Sequence, residues 1–242
     1  MGAQPRQTIP RGREGIHEKV LAYLAEKPRG KVLDIPTGYG ALAKRLVDLQ
    51  FDVTCCDIDP TQFSVDELAV DRGDLNARIP YGDRQFDYVC FLEGIEHTEN
   101  PYNAVREVSR VLKPGGTLIM TTPNYVNIER RLKFLVTGSF TKPVSQHAFR
   151  EKYRGKITEM HLTPLGFTLL KFALEHARLR ITEISTGKKK RRQVFLRPLV
   201  WLIRVYNRLW PEDARERYWI SETSSDAILG GGDTLFIFAQ KV

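Results

Sequence analysis

The stretch from Lys31 to Pro60, KVLDIPTGYGALAKRLVDLQFDVTCCDIDP, constrains the fold of this 242-residue chain more than any other. Val32-Leu33-Asp34-Ile35 is a short apolar run of β-formers and reads as a buried parallel strand. Pro36-Thr37-Gly38-Tyr39-Gly40 breaks it. Ala41 to Val47 has helical spacing, with Leu42, Leu46 and Leu49 on one face. Phe51 to Cys56 is a second strand, and it ends on Asp57. Glycine lets backbone approach a ligand closely, and the helix that follows offers free N–H groups at its start. An acid at the tip of the second strand can accept hydrogen bonds from ribose hydroxyls. Asp57 lies seventeen positions after Gly40, close to the roughly 20-residue offset of a nucleoside-binding βαβ unit. The competing reading is a plain βαβ unit with an incidental acid.

The turn itself narrows the nucleoside. Dinucleotide folds favour G-x-G-x-x-G with a pyrophosphate on the helix end. Here Asp34 stands inside the strand end, where it suits a cationic amino-acid moiety and repels a pyrophosphate. In this D-x-P-x-G-x-G turn the chain resembles the class I S-adenosylmethionine-dependent methyltransferases, whose first motif is D-x-G-x-G-x-G. Asp34, Gly38 and Gly40 match it, while Pro36 stands in place of the first glycine. Proline has no N–H, so a cofactor contact from that N–H is lost. The run V-L-K-P-G-G-T-L-I-M-T-T-P from Val111 to Pro123 extends the likeness to about residues 31–125. It resembles the subgroup of the ubiquinone-biosynthesis O-methyltransferases, of the methyltransferase type 11/12 kind.

The resemblance implies an α/β fold: a Rossmann-like, doubly wound seven-stranded sheet, mostly parallel, with the last strand antiparallel. It implies S-adenosyl-L-methionine as cofactor, with S-adenosyl-L-homocysteine as product. The cofactor residues it implies are Asp34, Thr37, Gly38, Gly40, Asp57, Ile58, Asp74, Leu75 and Glu93. Asp74, in Gly73-Asp74-Leu75, stands where the family places an acid against the adenine amino group.

Along the chain, residues 1–15 read as a flexible tail and Ile16 to Lys27 as an amphipathic helix. The methyltransferase domain is expected over 16–185 and 233–242. A weak third strand is expected at Leu68 to Asp71, a fourth at Phe86 to Phe91 and a fifth at Thr117 to Thr122. Between the last two lies a helix from Pro101 to Leu112, which Lys113-Pro114-Gly115-Gly116 is expected to cap. Helices are also read at Asn127 to Val136 and Leu165 to Ala177, and strands at Leu179 to Ile184 and Thr234 to Gln240.

Residues 186–232 are too long for a hairpin and form a helical insert before the last strand. The insert opens on the basic run Lys188 to Arg192 and continues as VFLRPLVWLIRVYNRLW, with Trp201 and Trp210. A basic run beside an amphipathic aromatic helix suits peripheral contact with an anionic membrane. It equally suits an ordinary cap helix over the active site, with a solvated basic loop.

Methyl transfer from a sulfonium is an in-line displacement that needs alignment and exclusion of water. A hydroxyl acceptor also needs its proton removed, by a base or by a metal. Glu96, His97 and His161 are the catalytic candidates, and the E-x-x-E-H spacing of Glu93, Glu96 and His97 suggests convergence on one helical turn. A similar loop in ubiquinone-pathway enzymes and small-RNA 2′-O-methyltransferases resembles a metal site completed by a later histidine. A metal here would therefore take Glu93, Glu96, His97 and His161. A metal-free histidine base and a merely structural loop remain alternatives. His147 is a further pocket candidate, and His17 and His176 read as surface or packing residues.

A formal net charge of +8 points to an anionic partner. The three cysteines give no disulfide framework, and no long charge-free apolar stretch spans a membrane. The expected location is cytoplasmic, with peripheral contact at the inner face of the membrane as the added alternative. The function read from all this is O-methylation of a small-molecule, lipid-linked or glycan hydroxyl. RNA 2′-O-methylation is the alternative acceptor chemistry, although nucleic acid fits less well because the basic residues flank apolar aromatics and do not line a stacking platform. From other classes, an NAD-dependent oxidoreductase shares the first βαβ unit but not the Asp34 turn. A non-catalytic membrane-associated binding module would keep the cofactor residues and lack turnover.

Overall fold

The computed structural model describes residues 15–141, 145–153, 160–189 and 191–242. The expected tail lies outside them except for Gly15, as does Lys190 of the basic run. The chain begins with helix α1 (Ile16–Ala25) and strand β1 (Lys31–Asp34), then α2 (Ala41–Asp48), β2 (Asp52–Asp57) and β3 (Val70–Arg72). β4 (Phe86–Leu92), α3 (Pro101–Val111) and β5 (Leu112–Pro123) follow. Next come α4 (Ile128–Thr137), α5 (Gln146–Tyr153), α6 (Phe167–His176) and β6 (Leu179–Thr186). The last stretch holds α7 (Arg197–Arg208), α8 (Glu212–Arg217), α9 (Ile220–Thr223) and β7 (Thr234–Lys241).

The strands form one seven-stranded sheet in the order β3-β2-β1-β4-β5-β7-β6. β1 to β5 pair in parallel, and β7 runs antiparallel to both β5 and β6. The sheet is therefore mostly parallel with its last strand reversed, as the resemblance implies.

Strand periodicity explains the three layers. Side chains alternate across a sheet, and here both faces are apolar. Leu33, Val89, Phe91, Leu118, Met120 and Ile237 face α3 and α6, meeting Val105, Val108, Leu170 and Leu174. Val32, Tyr88, Cys90, Ile119, Phe236 and Phe238 face α1 and α2, meeting Val20, Leu24, Leu42 and Leu46. That is why these strands read as continuous apolar runs.

Two local expectations change. The third strand is only three residues long and starts at Val70, two residues later than the sequence suggests. Its residues are half-buried to exposed, so too little apolar surface marks it. Lys113 to Gly116 do not cap α3. The helix ends at Val111, Leu112 already pairs with Phe86, and the register shifts before Tyr88 meets Thr117. The glycines belong to an irregularity in the β4–β5 ladder.

The stretch between β6 and β7 contains α7, α8 and α9, preceded by a 3₁₀ turn at Arg191–Leu196. α7 lies beside α4 through Ile128, Leu132, Leu199, Val200, Ile203 and Leu229. The return to β7 is held by amides: Asn124 Nδ2 donates to the Ile228 carbonyl at 2.9 Å, Asn127 Nδ2 to Gly232 at 3.0 Å and Gln193 Nε2 to Gly231 at 3.0 Å. A Cβ on Gly231 would stand 1.8 Å from the Ala227 carbonyl oxygen, so only glycine fits there. No helix among the described residues is long and apolar enough to cross a membrane.

Candidate active site

A cavity of about 510 Å³ opens at the carboxyl ends of β1, β2 and β4, where ligands bind in open α/β sheets. The β1–α2 turn forms its floor. The Ile35–Pro36 peptide is cis. Thr37 N–H donates to the Cys56 carbonyl at 3.0 Å, and Thr37 Oγ1 donates to Asp34 Oδ2 at 2.8 Å. Gly40 caps α2 with φ +82°, a backbone state that favours glycine. An added Cβ there would stand 2.6 Å from Phe63 and Val65. Gly40 does not itself line the cavity. It turns the chain so that Gly38, Tyr39 and Ala41 do.

Asp57 organises two loops at once. Its Oδ2 accepts the Gly38 N–H at 2.8 Å and its Oδ1 accepts the Asp59 N–H at 2.9 Å. Each carboxylate oxygen has a second lone pair, so Asp57 can hold both loops and still accept from a ligand. Asp74 and Leu75 line the same cavity, and Asp74 Oδ1 accepts the Asn76 N–H at 2.8 Å.

Asp34 is fully buried. Burial pushes its carboxyl pKa up to about 7; the Thr37 hydroxyl bond pulls it down, and the Asp57 carboxylate pushes it up again. The folded chain therefore keeps a proton that the unfolded chain has released. Stability falls as pH rises from about 4 to about 7, and stays reduced above that. Asp34→Asn is predicted to leave stability near pH 4 unchanged and to raise it at pH 8.5, by on the order of 2–4 kcal/mol. Thermal unfolding of the ligand-free protein at the two pH values measures this. Equal stabilisation at both would contradict the buried-charge account.

The far end of the cavity is built after β4. Glu93 has φ +49°, strained for a residue with a Cβ. Its N–H is pinned to the carbonyl and the hydroxyl of Thr121, at 3.1 and 3.0 Å. A single 3₁₀ turn, Ile95–His97, follows. Thr163 ties a later segment onto this loop, its N–H donating to the Glu96 carbonyl at 3.2 Å and its Oγ1 to the Thr98 carbonyl at 2.8 Å. That brings His161 to His97, edge to face at 4.9 Å between ring centres. Ligand-type atoms of Glu96, His97 and His161 lie within 4.8 Å of one another. Glu96 is 1% exposed, whereas His161 is open to solvent.

His97 Nδ1 lies 2.9 Å from the Met160 carbonyl oxygen. A carbonyl oxygen only accepts, so Nδ1 carries the proton. In the neutral ring Nε2 then carries the lone pair. The Tyr125 hydroxyl lies 3.2 Å from His161 Nδ1.

Of the residues expected from the sequence, Asp34, Thr37, Gly38, Asp57, Ile58, Asp74, Leu75, Glu93, Glu96, His97 and His161 all line this cavity. Glu93 stands outside the Glu96–His97–His161 cluster. The turn is 3₁₀ and Glu93 precedes it, so the i, i+3 convergence expected of an α-helix does not form. His147 is exposed on α5 and away from the cavity. His17 was assigned to surface or packing, yet it lines the cavity. Tyr39, Asp59, Gln62 and Asn76 were not singled out; they flank motif residues, and only that adjacency could have marked them.

Residues 33–120 match the family model described as a methyltransferase domain. Over 119 residues the chain is 32% identical to a ubiquinone biosynthesis O-methyltransferase of Xanthomonas campestris, covering 43% of this chain and 48% of that one. It is 28% identical over 184 residues to a protein of the same name from Escherichia coli, covering 61% and 74%. The chain thus spans about half the length of the first of these curated relatives. A solved SAM-dependent methyltransferase from Archaeoglobus fulgidus superposes with a TM-score of 0.57 at 18% identity, over 93% of this chain and 94% of that one. At that identity the likeness is one of fold.

Proposed function

We propose that the chain is a class I S-adenosylmethionine-dependent methyltransferase, as its methyltransferase-domain match over residues 33–120 supports, and that it moves a methyl group from that cofactor to an oxygen of its acceptor. The carrying observation is one cavity with the acids of β1 and β2 at one end and the Glu96–His97–His161 cluster at the other. Bound there, the cofactor supplies an electrophilic sulfonium methyl. Asp57 would accept from the ribose, Asp74 would meet the adenine amino group, and Ile58 and Leu75 would flank the base. Asp34, once ionised, would favour the cationic amino-acid end. His97 Nε2 takes the proton from the acceptor hydroxyl, and buried Glu96 favours the resulting imidazolium.

A divalent cation is a second reading, favoured by the convergence of one carboxylate and two imidazoles. Glu96, His97 and His161 would hold it, and it would lower the acceptor's pKa. Turnover that survives a chelator favours the base, while loss restored by Mg²⁺, Mn²⁺ or Zn²⁺ favours the metal.

The acceptor proposed is lipid-linked or membrane-proximal, and 186–232 is the element that meets the bilayer. α7 carries apolar side chains on its packed side and on part of its solvent-facing side. Val200 and Ile203 face α4, while Trp201, Leu202 and Leu209 face solvent. Phe195 is 85% exposed, and Leu135 and Val136 on α4 are 80% and 83% exposed. Lys189, Arg191, Arg197 and Arg208 are exposed in the same segment. Exposed apolar residues beside cations match the chemistry of an anionic lipid surface. Phe195→Ser with Trp201→Ser is predicted to cut co-sedimentation with vesicles rich in phosphatidylglycerol about tenfold, at unchanged S-adenosylhomocysteine affinity. A parent protein that never sediments would remove the membrane reading.

The acceptor class is tested with methyl-labelled cofactor in a lysate, partitioned between organic and aqueous phases. Label in the organic phase supports a lipid-linked acceptor. Label confined to water overturns it and makes α7 a cap helix.

A further inference from the structure

Six acids line the cavity: Asp34, Asp57, Asp59, Asp74, Glu93 and Glu96. Among its described lining residues there is no lysine and no arginine. A field of that sign suits the sulfonium and the ammonium of the cofactor. It opposes the carboxylate that the same methionine moiety carries. Three lining side chains can become cations, His17, His97 and His161. The last two stand together with Glu96 at the acceptor end. His17 stands apart from them, on the first turn of α1.

The helix that carries it is fixed to α2. Arg45 Nη1 donates to Glu18 Oε1 at 2.8 Å, and Ile16, beside His17, is buried in the same apolar cluster as Leu42 and Leu46. Ile16 and Leu42 also line the cavity, so α1 walls it next to the start of α2. That helix start presents free N–H groups, which favour an anion. His17 Nδ1 is buried with no hydrogen-bond partner among the described residues. An orphaned buried nitrogen carries a cost, and in a cavity wall it points to a ligand.

We infer that His17 holds the carboxylate of the cofactor's methionine moiety, closing the cavity from the α1 side. The inference rests on the methyltransferase reading and adds to it a residue outside the recognised motifs. Burial lowers the ring's pKa, Glu18 raises it and Arg45 lowers it. A carboxylate set against the ring would favour the imidazolium, giving a charge-assisted bond.

Two ligands separate this role from packing. S-adenosylhomocysteine carries the carboxylate, and methylthioadenosine lacks the whole amino-acid end. His17→Ala is expected to weaken S-adenosylhomocysteine about tenfold or more by calorimetry, and to leave methylthioadenosine within about twofold. His17→Gln, which keeps the volume and a neutral donor, is expected to fall between. Equal losses for the two ligands, or no loss for either, would overturn the assignment. A parent protein that binds neither ligand would overturn the methyltransferase reading and this inference together.

Discussion

The Glu96→Gln/His97→Ala double variant is expected to lose methyl transfer by on the order of 10²–10⁴-fold while binding S-adenosylhomocysteine as the parent does. Both changes act at the acceptor end of the cavity, away from Asp57 and Asp74. Glu96 is almost completely buried in a 3₁₀ turn, and glutamine keeps its shape. His97 donates to the Met160 carbonyl and is half-buried, so alanine loosens that segment without emptying the core. Loss of turnover would follow whether His97 acts as base or as metal ligand, since both uses need its Nε2. Single-turnover rates with saturating cofactor separate chemistry from binding. Full activity in the double variant would eliminate both uses and leave the loop a structural role.

Asp57→Ala should do the reverse. We expect S-adenosylhomocysteine affinity to fall about 100-fold, because bonds to a charged acceptor contribute roughly 1.5–3 kcal/mol each. The same carboxylate holds the N–H groups of Gly38 and Asp59, so its removal also releases the β1–α2 and β2–β3 loops. Asp57→Asn keeps one acceptor oxygen and should lose less. Calorimetric titration of the parent and both variants is the measurement, and unchanged affinity in Asp57→Ala would sink the ribose assignment.

The cofactor half of this site could be read in the sequence because it is local. Asp34, Gly38 and Asp57 lie within one βαβ unit, where strand ends and a glycine turn fix the geometry over a few residues. The sheet was legible for a related reason, since strands buried on both faces are apolar throughout. β3 was misplaced because its residues face largely outward. The Lys113–Gly116 run has the composition of a helix stop, yet the β4–β5 ladder claims it, and ladder register is a tertiary property. His17 was missed because nothing around it in sequence looks functional. It reaches the cavity through the packing of α1 on α2. Glu93 was grouped too closely with Glu96 because spacing alone does not distinguish a 3₁₀ turn from an α-helical one.

The strand that comes seventh in the chain sits sixth in the sheet, with β5 on one side and β6 on the other. Six of its eight residues are buried. While the chain is being made, β6 has no strand to pair with, and β5 shows a bare apolar edge, until Thr234 to Lys241 emerge. About 55 residues separate the end of β6 from the end of β7, or roughly 3–11 s of synthesis at 5–20 residues per second. During that interval the nascent chain carries two unsatisfied strand edges and an aromatic helix on the ribosome, which is the surface that chaperones bind. The topology that places the 186–232 insert between β6 and β7 therefore leaves these edges uncovered until the last strand is made.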